Sequence, residues 1–345
     1  MDDLSIADRL LAVLRARTGR AGLDYAVRPE RIHGGFDTRI FSFTLRDAPD
    51  AFAGPLVLRL HRPETDAAHA RFEAVVHRTL ASLGYPCPTA LLVGDARDGL
   101  GGAFLVMPRL PGRVMLAAMR GPGLLRLPMM LAGLQLALHA LDAEPLRRAL
   151  AAADFDPARC SMGEDLTAMA HAIERARLDG LRPALAWLLA HRPPAGSVTV
   201  VCHGDFHPLN VLVERGRATG VVDWAANHLR FTEPAYDVGA TAAILRHGPL
   251  DVPRGLGALA SLGRRLLIEG YRRTYLRARP LEPARLHYYE ALRTLGLLVE
   301  GGVYRRAAEG AIPTPTKPSA FASPRLLQGA AHRLRALTGV RALAD

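Results

Sequence analysis

HGDFHPLNVL, residues 203–212, sets His203, Asp205, His207 and Asn210 into an otherwise apolar run, around one glycine and one proline. Polar groups in such surroundings need partners or a ligand, because stranding them away from water costs several kcal/mol. The next residues, NVLVERGRATGVVDW, read as a hairpin: VLV and VVD flank a turn rich in Gly and Arg. Asn210 enters that hairpin and Asp223 leaves it, so two oxygen-bearing side chains face its open end. Such a pair suits Mg2+, which keeps several waters and binds substrate phosphates with one or two protein ligands. Asp205, five residues before Asn210, falls within reach of whatever the metal holds. A plain polar turn would explain neither this spacing nor the second aspartate inside an apolar strand.

Working outward, an amphipathic helix is expected near 4–17, then strands at Tyr25–Ile32 and Thr38–Leu45 joined by HGGFDT. PLVLRLHR, 55–62, reads as a third strand. The period then changes: PETDAAHARFEAVVHRTLASLG carries Ala68, Phe72, Val75, Val76 and Leu80 at helical spacing and stops at Gly84. Two further strands, Thr89–Gly94 and Ala103–Met107, precede PRLPG at 108–112, beyond which the pattern is mostly helical. A small sheet-and-helix lobe, 1–108, followed by a larger helical lobe, 109–345, is the expected organisation, with the 211–223 hairpin as the one clear β interruption of the second half. AIPTPTKPSAFASP reads as a connector into a last helix, PRLLQGAAHRLRALTG.

The formal net charge is +11, and Lys317 is the only lysine among 44 basic residues. The arginines are scattered through Ala/Leu-rich helical stretches with no run of five, so they read as solvated faces, and no nucleic-acid partner is expected. Cys87, Cys160 and Cys202 are isolated, without CxxC spacing, which excludes a disulfide framework or a zinc site and fits a reducing compartment. The first twenty residues lack the basic and apolar regions of a signal peptide. LLRLPMMLAGLQLALHALD, 124–142, carries Arg126, Pro128, Gln135 and His139 and reads as a core helix, so no membrane partner and a cytoplasmic location are expected.

HGDxHxxN followed by VVDW resembles the aminoglycoside phosphotransferase family, whose members phosphorylate hydroxyls of small molecules. The resemblance covers nearly the whole chain and is most specific over 203–239. It implies an α+β, protein-kinase-like bilobal fold: a small N-terminal lobe with an antiparallel five-stranded sheet and a helix, and a larger, mainly helical C-terminal lobe. It also implies ATP or GTP with Mg2+ as cofactors. Carried over residue by residue, Asp205 is the catalytic base, Asn210 and Asp223 are the magnesium ligands, His203 braces the loop, and Asp237 starts a helix and ties the loop down. His207 stands where protein kinases carry a lysine facing the transferred phosphate; it either donates to the γ-phosphate or holds the loop.

In the N-terminal lobe Gly34 and Gly35 occupy the place of the phosphate-covering turn, although HGGFDT is not a GxGxxG loop. Arg59 in the third strand takes the place of the cation for the α- and β-phosphates, where a lysine is commoner, and Glu73 on the next helix is its expected partner; a surface salt bridge is the plainer reading of that pair. AFLVMPRLPG, 103–112, resembles the hinge that receives the adenine edge through backbone groups near Met107 and Arg109. His139 and Trp187 read as packed helix residues without a role.

The function implied is transfer of the γ-phosphoryl group to a hydroxylated small-molecule acceptor, an antibiotic or a metabolite, with antibiotic resistance as one role this allows. Polycationic acceptors would need an acidic pocket, to which Glu164 and Asp165 could contribute. Two rivals are an inactive nucleotide-binding relative, which would usually lose Asp205 or Asp223, and a basic nucleic-acid-binding protein, whose binding would fall steeply with salt. The sequence leaves acceptor and oligomeric state open.

Overall fold

A computed structural model describes residues 3–32, 38–119, 121–196, 198–248, 257–312 and 323–343. The chain begins with α1 (Asp3–Thr18), β1 (Asp24–Ile32), β2 (Thr38–Arg46), β3 (Pro55–His61), α2 (Ala67–Ser82), β4 (Leu92–Gly94), β5 (Phe104–Pro108) and β6 (Arg113–Val114). It continues through α3 (Met115–Ala118), α4 (Leu127–His139), α5 (Glu144–Ala152), α6 (Met162–Arg175) and α7 (Arg182–Ala190). Four short strands follow, β7 (Val200–Cys202), β8 (Val211–Glu214), β9 (Arg217–Val221) and β10 (Arg230–Thr232), and then α8 (Pro234–His247), α9 (Gly257–Ala278), α10 (Pro283–Ala308) and α11 (Pro324–Thr338). The chain forms two compact units, one of residues 1–114, 144–155 and 211–226, the other of 115–143, 156–210 and 227–345.

In the first unit the five expected strands form one antiparallel sheet in the order β1-β2-β3-β5-β4. Period-two alternation gives β3 two faces. Leu56, Leu58 and Leu60 join Phe41 and Phe43 of β2 against Ile6, Leu10 and Leu14, spaced one turn apart on α1. The opposite face carries Val57 and Arg59 toward α2, whose small Ala70 and Ala74 pack with Leu105 and Met107 of β5. Asp66 caps α2, its carboxylate accepting from the Ala68 N–H at 2.9 Å. The same unit holds a three-stranded sheet, β6-β8-β9, containing the expected hairpin.

Helices dominate the second unit. α8 is buried from Pro234 to Leu245, and it lies close enough to α10 that a Cβ on Gly239 would come within 2.7 Å of Tyr289. The sequence reading expects only the hairpin as β structure in this half of the chain. The structure adds β7 and β10, paired antiparallel with Cys202 opposite Arg230. Strands of three residues, all buried in β7, are too short to show alternation. β9 also ends at Val221, so Asp223 lies beyond the strand, with a left-handed φ of 70°. No single described helix is long and apolar enough to cross a membrane.

Candidate active site

β7 delivers the chain into the 203–210 loop of the second unit. The backbone N–H groups of His203 and Gly204 donate to the Asp237 carboxylate of α8, at 2.9 and 2.8 Å. Asp237 is fully buried. Its Oδ2 also meets His139 Nε2 at 3.1 Å, and His139 Nδ1 meets the Tyr275 hydroxyl at 2.6 Å. Burial pushes the Asp237 carboxyl up, but the contacts with His139 and His203 outweigh it and hold the group below the usual carboxylate range. Gly204 has φ +75°, and a Cβ there would lie 2.1 Å from the His228 carbonyl oxygen, so only glycine fits.

That pinned loop presents Asp205. One carboxylate oxygen accepts from Arg293 Nη2 of α10 at 2.8 Å, and the other lies 3.4 Å from His207 Nε2. Burial raises the Asp205 carboxyl; His207, His228 and Arg293 together bring it well below its ordinary value, so the group is an anion throughout the neutral range. His203 Nδ1 accepts the Asp205 N–H at 3.3 Å, and the His203 ring stands edge-on to Phe206. His207 Nδ1 accepts from the Leu209 N–H at 3.2 Å. Asn210 is buried, and its Nδ2 donates to the Asp205 carbonyl at 3.0 Å, which leaves Oδ1 as the side-chain atom a hard cation would take.

The first unit holds a second cluster of charge. Arg59 Nη2 donates to Asp223 Oδ1 at 2.7 Å, and Arg59 Nη1 lies 3.4 Å from Glu73 Oε2. His61 Nε2 is 3.6 Å from the same Glu73 oxygen. Burial raises the Glu73 carboxyl, and the charge of Arg59 with the His61 contacts turns the balance downward. Asp223 is 42% exposed, an open carboxylate in a conformation that aspartate tolerates better than most residues. At the end of β5, Met107 is buried opposite Val57, and the Arg109 N–H donates to the Pro55 carbonyl at 2.9 Å. By strand alternation the backbone groups of this stretch that turn away from β3 belong to Pro108 and Leu110. Gly34 and Gly35 lie outside the described residues.

A family model described as the phosphotransferase enzyme family matches residues 29–281. The chain belongs to this family. An aminoglycoside phosphotransferase-like protein of Ralstonia eutropha, described as putative in that role, is 17% identical, covers 96% of each chain and superposes with a TM-score of 0.62. A thermostable mutant of aminoglycoside phosphotransferase APH(4)-Ia, in ternary complex with AMP-PNP and hygromycin B, is 18% identical over 95% of this chain and 98% of that one, with a TM-score of 0.63. Macrolide 2'-phosphotransferase MphH from Brachybacterium faecium is 20% identical over 95% and 98%, at a TM-score of 0.53. No curated protein sequence matches the chain. The protein-kinase-like fold expected from the HGDxHxxN stretch is thus the fold of the family.

Within this phosphotransferase framework, two features escape the sequence reading. Arg293 is 88 residues from Asp205, one arginine among 43, and no local pattern marks it. His139, read as a packed helix residue, is buried and also supports Asp237 from behind. Asp165, considered for an acidic acceptor pocket, is engaged otherwise: its carboxylate pairs with Arg230 and accepts from the Tyr236 hydroxyl at 2.9 Å.

Proposed function

We propose that the protein transfers the γ-phosphoryl group of ATP or GTP to a hydroxyl of a small molecule, with Asp205 as the catalytic base. The observation that carries this is the Asp205 carboxylate itself: an ionised group on a loop whose backbone is tied to a buried aspartate, in a chain of the phosphotransferase family. Arg293 fixes one oxygen and leaves the other to accept the acceptor hydroxyl's proton. A carboxylate held so low is a weak base. Its main contribution is therefore orientation of the hydroxyl, which suits a transfer whose transition state is loose and asks little proton removal early on.

Asn210 Oδ1 and the Asp223 carboxylate are the oxygen donors we assign to Mg2+, on the hardness of both atoms and their places before and after the hairpin. Bound there, the ion would neutralise charge on the nucleotide phosphates. Arg59 is the cation for the α- and β-phosphates, with Glu73 holding its guanidinium. Gly34 and Gly35 cover the phosphates in this reading. The hinge 107–110 receives the base, through the Pro108 carbonyl and the Leu110 N–H rather than through the Arg109 N–H, which Pro55 occupies. For His207 we favour the bracing role, since its two ring nitrogens face Leu209 and Asp205.

The functional division proposed assigns nucleotide binding to residues 1–108 and acceptor binding and catalysis to 109–345. The partner is a hydroxylated small molecule, an antibiotic or a metabolite, and a cytoplasmic location fits three free, buried cysteines. APH(4)-Ia was crystallised with hygromycin B; in this chain Asp165 is already paired with Arg230, so neutral acceptors should come first in any screen. Thermal shift and ATP consumption with Mg2+, run against hydroxylated antibiotics and metabolites, test the proposal. Consumption stimulated by at least one acceptor and abolished in Asp205→Asn supports it; stimulated consumption that persists in Asp205→Asn refutes the base.

A further inference from the structure

Glu290 of α10 is the meeting point of three other helices. Its carboxylate is buried, and three guanidiniums reach it: Arg333 Nε of α11 at 2.7 Å, Arg246 Nε of α8 at 3.1 Å and Arg272 Nη1 of α9 at 3.7 Å. Arg264 of α9 lies beside them, donating from Nη1 to the Leu245, Arg246 and Gly248 carbonyls at the end of α8. Four guanidiniums against one carboxylate leave three positive charges in surplus. Among the described residues no second carboxylate pairs with Arg246, Arg272 or Arg333.

One guanidinium balances the charge of the Glu290 carboxylate. The further ones repel their neighbours at close quarters, and their side chains remain 24 to 29% exposed, open to a solute. His247, at the end of α8, reports the same field. Its imidazole is buried, Nε2 has no hydrogen-bond partner among the described residues, and burial with the charges of Arg246, Arg264 and Arg333 pushes it down to about 4. It is therefore neutral near pH 7 and offers a buried ring nitrogen without adding charge.

We propose that the Arg246, Arg272 and Arg333 cluster binds a tetrahedral oxyanion carrying about two negative charges, namely phosphate or the phosphate group of a small molecule. Guanidinium forks match two oxygens of such a group at once, and the surplus charge exceeds what a single carboxylate ligand would neutralise. The site is independent of the phosphotransfer reading, because none of its residues takes part in it. It stands apart in sequence from Arg59, where nucleotide phosphates are assigned above.

Isothermal titration of the full chain with inorganic phosphate tests the proposal, with sodium chloride at matched ionic strength as the blank. Sulfate supplies a dianion that does not titrate, and glycerol 2-phosphate supplies the ester. Saturable binding of phosphate or of the ester is expected, the tighter of the two naming the source. Arg272→Gln, which removes the loosest of the three arginines, should weaken binding about tenfold, the scale of one charge-assisted hydrogen bond. Glu290→Gln removes the internal competitor and should tighten it, and serves as the second variant if Arg272→Gln folds poorly. Arg97→Ala, at an exposed arginine given no part in either site, should leave phosphate binding unchanged. The proposal is overturned if no anion binds better than chloride, if Glu290→Gln does not tighten binding, or if binding is lost in Arg97→Ala instead of Arg272→Gln.

Discussion

The 203–210 loop and the Arg59 cluster both gather charge around an aspartate, yet they are held in opposite ways. The loop is fixed through its backbone: two N–H groups on buried Asp237, His139 and Tyr275 behind that, and a glycine pressed against a carbonyl. The Arg59 cluster is linked through side-chain charges, at separations of 2.7 to 3.6 Å, with Asp223 partly open to solvent. The first arrangement fixes the loop backbone in one conformation, with the His203 and Gly204 donors both satisfied. The second is a set of ion pairs, the arrangement that the proposed reading of Arg59 as a cation for phosphates calls for. A loop that positions a reacting hydroxyl benefits from rigidity, whereas a phosphate site benefits from partners that yield.

The contrast makes graded predictions. Asp205→Asn should lower phosphoryl transfer about 10²- to 10⁴-fold, the usual worth of a positioned base, while MgATP affinity by titration calorimetry stays near wild type. Transfer at the wild-type rate would sink the assignment. Asp237→Asn should cost about 3 kcal/mol of stability in urea unfolding, because an amide offers one acceptor oxygen where two N–H donors converge and turns its own donors toward them. The Asp237 carboxyl is lowered in the folded state, so its contribution is present above the unfolded pKa of about 3.9 and lost as pH falls through the depressed folded value. The gap between variant and wild type should therefore narrow below about pH 4; a gap constant from pH 3 to 7 would exclude an ionised Asp237.

The charge cluster should answer in binding. Arg59→Ala should weaken nucleotide affinity by roughly ten- to a hundredfold, the scale of a hydrogen bond between charged groups. Unchanged affinity would remove Arg59 from the phosphate site. Asp223→Asn should weaken magnesium-dependent nucleotide binding about tenfold yet shift stability by less than about 0.5 kcal/mol, as for an exposed side chain. A large stability loss there would erase the distinction drawn between the two regions. His207→Ala should have the smallest effect, a fall in turnover of about tenfold or less at nearly constant nucleotide affinity, since its contacts orient Asp205 and Asn210 without replacing them.

What the sequence discloses and what it withholds divide along the range of the interactions. The sheet, α2 and the hairpin follow from alternation, helical spacing and turn residues, all within a window of about twenty residues. Asp205, Asn210 and Asp223 stand out because their spacing is fixed by a loop and a hairpin that are themselves local. Arg293 and His139 belong to helices far away in sequence, and an arginine on an amphipathic helix reads the same whether it faces water or a buried carboxylate. Glu290 is the extreme case: three other helices supply the partners that define it. β7 and β10 are hidden for another reason, since strands of three residues carry no period.

The interleaving of the two units bears on how the chain is made. It passes between them at 114/115, 143/144, 155/156, 210/211 and 226/227. A ribosome therefore releases the whole first sheet long before β8 and β9, which complete the small sheet with β6, have been translated. Phe155, which stands edge-on to Phe72 of α2, arrives late as well. An amino-terminal product ending near residue 114 would expose the surface that these segments cover, and it should be captured by holding chaperones or degraded rather than accumulate. The two units are thus products of a single vectorial synthesis, and neither can mature before residue 226 has left the exit tunnel.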